Sequence, residues 1–98
     1  MDYTIFLPTP LDEIDAIYDN IDVCITTKDG TKYTVVFVTP DGLKQMMKND
    51  NSSFIEPVTP FAIVDTINEK NIRLVIDRLM APENNYFLQV YGGDYNEI

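Results

Sequence analysis

Asp12, Asp15 and Asp19 stand at i, i+3 and i+7 with Glu13 beside them, and no lysine or arginine precedes Lys28. On a helix that spacing gathers three carboxylates on one face. The chemistry open to carboxylates alone is narrow: a hard-metal site, proton transfer between two carboxyl groups, or an acidic face for a basic partner. No turn or second acidic cluster supports a metal site, so no metal ligand is assigned. The chain has no histidine, the commonest general base and metal ligand. Its one cysteine, Cys24, falls inside a strand pattern with no histidine to activate it, and reads as a structural thiol rather than a nucleophile. Gly92-Gly93 has no helix pattern after it, so it is not a phosphate-binding loop. The protein is therefore read as non-enzymatic, with no catalytic residue and no cofactor.

What remains is binding. Seven basic residues against sixteen acidic ones give a net charge of −9, which repels nucleic acid and anionic membranes and attracts a basic protein surface. The expected partner-binding residues are Asp12, Glu13, Asp15 and Asp19 on a first helix, with Phe54, Ile55 and Glu56 in a loop bounded by Asn49 and Pro60. A single thiol builds neither an internal disulfide nor a zinc site. The opening Met-Asp-Tyr-Thr-Ile-Phe-Leu-Pro has no basic leader, and no run approaches the roughly 18 apolar residues of a membrane span. A reducing cytoplasm is the expected location.

The elements that must position these residues are built on one hairpin, Ile21 to Thr39, folded over Lys28-Asp29-Gly30. A two-residue loop at Asp29-Gly30 would mix apolar and polar side chains on both faces. A three-residue loop, a type I turn over Lys28-Asp29 with Gly30 left-handed, opposes Ile21 to Phe37, Val23 to Val35 and Ile25 to Tyr33. One face is then apolar, with Asp22, Cys24, Thr26 and Lys32 turned the other way, and a slip of one residue would destroy that pattern.

Before the hairpin, Tyr3 to Leu7 reads as a strand stopped by Pro8, and Thr9-Pro10 as the start of a helix reaching Asp19, with Leu11, Ile14, Ile17 and Tyr18 as its apolar stripe. After it, Thr39-Pro40 repeats the same start signal for a helix carrying Leu43, Met46 and Met47 and ending near Asn49. Phe61 to Ile67 reads as a buried strand. Asn68 then caps a helix with Ile72, Val75, Ile76, Leu79 and Met80 on one face, and Asn85 to Tyr91 is a last strand. The whole chain, 1-98, is one α+β domain. Its expected sheet is mixed but mainly antiparallel, with four to five strands on the central hairpin and two to three helices on one face. The alternative is a split βαββαβ, ferredoxin-like core with an extra αβ unit.

The stretches Asp22 to Met47 and Ile63 to Leu79 together give a pattern of strand, turn and helix that resembles small uncharacterised bacterial proteins of about this length, some of them similar to immunity partners of secreted toxins. Many of those relatives have a Gly-Glu-Cys segment and an aromatic cluster before the third strand. Asn49 to Pro60 has neither, and no functional residue is carried over. With the charge, the resemblance implies an immunity or inhibitor protein that neutralises a basic toxin or enzyme. The alternative is a self-associating structural or regulatory protein, a homodimer in which Lys70, Arg73 and Arg78 around Leu74 meet the acidic face of a second copy.

Overall fold

β-Branched and aromatic residues alternate through Ile21–Thr27 and Lys32–Val38, and these become β2 and β3 of the chain, whose computed structural model describes residues 3–55 and 60–81. Their antiparallel register opposes Ile21 to Phe37, Val23 to Val35 and Ile25 to Tyr33, as the clean face requires. Thr27 N–H donates to the Thr31 carbonyl and Gly30 N–H to the Thr27 carbonyl. That closes a loop of Lys28, Asp29 and Gly30, with Gly30 at φ 89°, a backbone setting that favours glycine. Asp29 finishes the turn: its side chain accepts from the Thr27 hydroxyl and the Thr31 amide, and these bonds hold its carboxyl below the usual range.

β1, Tyr3–Phe6, pairs antiparallel with β2, and β4, Phe61–Ile63, pairs parallel with β3. The sheet order among the described residues is β1-β2-β3-β4. This removes the ferredoxin-like alternative, in which another strand separates the first two. β4 stops at Ile63, short of the expected Ile67, although Val64 still donates to the Val38 carbonyl. The expected strand Asn85 to Tyr91 lies outside the described residues.

Two helices form where caps and period agree. α1, Pro40–Asn49, has Thr39 as its N-cap, accepting from Gly42 N–H, and a proline in its first turn. It ends in a Schellman turn: Asn51 is left-handed at φ 51°, Ser52 N–H reaches the Met47 carbonyl and Asn51 N–H the Lys48 carbonyl. α2, Glu69–Met80, is capped by Asn68, which accepts from Asn71 N–H. It buries Ile72, Ile76 and Leu79 against Ile21, Val23, Ile25, Val35 and Phe37. This single cluster is the core.

The helices do not share a face, contrary to the sequence expectation. α2 covers the face of Phe37. α1 lies over the opposite one, where a Cβ on Gly42 would stand 3.0 Å from Val38 Cγ2 and where Met46 faces Val36, Asp22 and Phe61 across a cleft. The reason is visible in β3, whose second face ends in Val36 and Val38 and needs its own cover.

The first helix is the larger correction. Regular helix is limited to Leu11–Glu13, one 3₁₀ turn, with a single further turn closed by Asp19 N–H donating to the Asp15 carbonyl, and Pro10 before Leu11 is extended at ψ 145°. Ile14 is extended at φ −115° and ψ 158°, so the chain cannot propagate a helix. Asp15 then uses its carboxylate to accept from the amides of Ile17 and Tyr18, and Asp19 accepts from Asp15 N–H. Short acidic side chains offer the backbone such local bonds in place of the helical ladder, which is why they favour turns and caps. Leu11 and Ile14 still pack on the core, from an irregular strap rather than a helix.

Tyr3 ties the first strand to α2, its hydroxyl donating to Asp77 Oδ1. Burial first, and then the bond to the Asp77 carboxylate, push the Tyr3 hydroxyl up to about 12. The folded protein therefore holds the neutral phenol more strongly than the unfolded chain, whose tyrosine ionises near 10. The stabilisation is present below pH 10 and is lost as pH rises towards 12. Tyr3→Phe is expected to cost about 1 kcal/mol at pH 7. Urea midpoints from pH 8 to 12 should fall less steeply for this variant than for the parent.

Candidate functional site

The acidic residues chosen from the sequence are exposed on the strap before β2, but they form no helix face. Asp12 and Glu13 sit in the 3₁₀ turn. Asp15 and Asp19 hold the backbone that follows, and the amides of Ile17 and Tyr18 keep the Asp15 carboxyl below the usual range. The strap is pinned from two sides. Ile67 N–H donates to the Ala16 carbonyl at 2.9 Å, and the Thr39 hydroxyl donates to the Ile17 carbonyl.

That second contact places the strap's exit beside α1. Asn20, the next residue after Asp19, reaches Met46, with Nδ2 3.6 Å from Sδ. Between α1 and the outer face of the sheet lies an open cleft of about 510 Å³. Its apolar lining is Val36, Met46, Phe54, Ile55 and Phe61, and its polar lining is Asn20, Asp22, Asp50 and Ser52. No lysine or arginine is among these residues. Phe54 is 59% exposed at its mouth, on a turn in which Ser52 Oγ donates to the Phe54 carbonyl and accepts from its amide.

Each wall follows from local sequence. Asp22 alternates with Ile21 and Val23 and so points away from the core. Val36 lies across from Asp22 on β3, and Phe61 next to Val36 on β4, giving one continuous apolar floor. The Schellman turn after α1 carries Asp50 to the helix's carboxyl end and aims the following residues back over the sheet. Phe54 and Ile55 are thus brought together with Asp22 and Asp50, while Glu56 lies outside the described residues. Asp12, Glu13 and Asp15 line no part of this cleft, and Asp19 adjoins it through Asn20.

The chain matches no family model, no curated protein and no solved structure.

The chemistry of the cleft is set by its lining. A half-buried apolar floor with the exposed Phe54 at its mouth favours a group that covers apolar surface, and the two carboxylates favour one that brings positive charge. Neither the Asp22 nor the Asp50 carboxylate has an ion pair or hydrogen bond with another described residue. Among the described residues no three Asp, Glu or Cys side chains converge to hold a metal ion, and no helix is long and apolar enough to cross a membrane. Cys24 is buried on the same outer face; burial pushes its thiol up, the facing Thr34 hydroxyl works against that, and the Asp22 charge adds to it. The protonated form is favoured, which suits a packed thiol rather than a nucleophile.

The basic group on α2 has a mixed setting. Lys70, Arg73, Leu74 and Arg78 are exposed, but Arg73 Nε lies 3.4 Å from Glu69 Oε1 and Asp77 stands on the same helix. The acidic helix that was to face this surface in a second copy is the strap described above.

Sequence reasoning reached Phe54 and Ile55 but missed Asp22, Asp50, Met46 and Phe61. The available signal was the outer face of β3: extending its alternation from Lys32 reaches Thr34, Val36 and Val38, an apolar end that predicts a second layer. Thr39 holds that layer on the strap, so Thr39→Val is expected to lose both the cap and the bond to Ile17. A loss of about 2 kcal/mol in urea unfolding follows from these two contacts together. Thr39→Ser keeps the hydroxyl and should lose less than half as much.

Proposed function

We propose that the protein is a binding module for a basic protein, of the immunity or inhibitor kind, acting in a reducing cytoplasm. The observation that carries this reading is the cleft: an apolar floor, two carboxylates and no basic residue among the described residues that line it, on a chain of net charge −9. The exposed carboxylates of Asp12, Glu13, Asp15 and Asp19 raise the rate at which a basic partner arrives, and the cleft holds it. The pattern-level resemblance to immunity-like proteins points the same way.

The two groups of carboxylates have separable effects. Charges on the rim of an interface act over about 8 Å at physiological salt and chiefly set the association rate. Charges enclosed by the partner chiefly set dissociation. With the partner isolated from its own cells by affinity capture, the triple variant Asp12→Asn, Glu13→Gln, Asp19→Asn is expected to slow association roughly tenfold at low salt, with little change at high salt. The double variant Asp22→Asn, Asp50→Asn should instead speed dissociation at least tenfold. Surface plasmon resonance measures both, and unchanged kinetics in both variants would overturn the proposal.

A further inference from the structure

We infer that the cleft between α1 and the outer sheet face receives an arginine side chain of the partner, an inference that rests on the binding reading above. Three features of the lining favour guanidinium over ammonium. The acceptors come from separate walls, Asp22 from β2, Asp50 from the end of α1, and Asn20 and Ser52 beside them. A guanidinium presents five donors in a fixed planar fork and can reach acceptors on more than one wall, whereas an ammonium is a compact point charge. The floor and mouth carry Phe61 and Phe54, on whose faces a guanidinium stacks while its aliphatic stem covers apolar surface. The arginine head is also the more weakly hydrated of the two, so it gives up less on entering an apolar cleft.

The helix favours a cation of either kind. Asp50 caps the carboxyl end of α1, where the backbone dipole presents its negative pole, and the cleft opens beside it. Lys48 lies in that last turn but is exposed and does not line the cleft. The cleft's volume of about 510 Å³ is within the roughly 300–1,000 Å³ of ligand-accepting clefts, and admits a long side chain with the backbone around it.

The test is titration of the isotope-labelled full chain at low salt with a blocked Gly-Arg-Gly peptide, its lysine counterpart and its citrulline counterpart, followed by amide chemical shifts. The arginine peptide is expected to move the amides of Asp22, Asp50 and Phe54 and to bind at least fivefold more tightly than the lysine peptide. The citrulline peptide, neutral and of the same shape, should move none of them. Asp22→Asn, Asp50→Asn should abolish the response, while Asp12→Asn, Asp19→Asn should weaken binding less than tenfold and leave the same amides responding; an unchanged far-ultraviolet circular dichroism spectrum confirms that each variant folds. Equal binding of lysine, a response to citrulline, or shifts confined to residues 12–19 overturns the arginine assignment. If that assignment fails while Asp22→Asn, Asp50→Asn still releases the captured partner, binding at the cleft stands; if the partner is retained by both sets of variants, the binding reading falls with it.

Discussion

One hydroxyl joins the parts of this molecule that otherwise have no reason to meet. Thr39 is 1% exposed, and its Oγ1 donates to the Ile17 carbonyl while accepting from Gly42 N–H. Through it the end of β3, the first turn of α1 and the irregular strap are held at one point. Gly42 eases the arrangement: a Cβ there would lie 3.0 Å from Val38 Cγ2 and 3.3 Å from both the Ile17 oxygen and Thr39 Oγ1, so these neighbours would have to give by a few tenths of an ångström. Because α1 is fixed at its amino end in this way, its carboxyl end and the turn after it hang over the outer face, and the cleft lies beneath them.

The distribution of charge follows from the same geometry. The core face is closed by α2 and its buried cluster holds only apolar side chains, so among the described residues the carboxylates lie on the strap, the turns, the outer face and the exposed sides of the two helices. On the strap two of them are used locally, Asp15 and Asp19 fixing backbone amides that a helix would have fixed itself. In the cleft Asp22 and Asp50 have no such employment among the described residues. The negative field is thus broad along the strap and concentrated beside an apolar floor, and in the binding function proposed above these two parts serve attraction at a distance and recognition in contact.

The hairpin and α2 were legible in the sequence because each carries two independent signals that agree. In the hairpin a period of two coincides with Gly30, whose φ of 89° the three-residue loop requires. In α2 the 3.6-residue spacing of Ile72, Ile76 and Leu79 coincides with the Asn68 cap. The Thr-Pro pair was read twice and was right once. Thr39-Pro40 begins a helix because the hydroxyl finds Gly42 N–H, whereas Pro10 is extended and the stretch after it is rich in aspartates that bond locally. An apolar stripe at helical spacing does not separate these cases, since Leu11 and Ile14 reach the core from the strap equally well. The cleft was only half legible because its lining comes from distant parts of the chain, Asp22, Val36, Asp50 and Phe61, and only the sheet order and the face taken by α1 bring them together.

The account stands on the outer face, and not the exposed side of α2, being the surface that meets a partner. Hydrogen exchange of the chain alone and in complex with its captured partner tests this most directly. Slowed exchange is expected in residues 17–22 and 43–55, with the amides of 70–78 unchanged. Protection confined to 70–78, with the cleft exchanging as in the free chain, would contradict it.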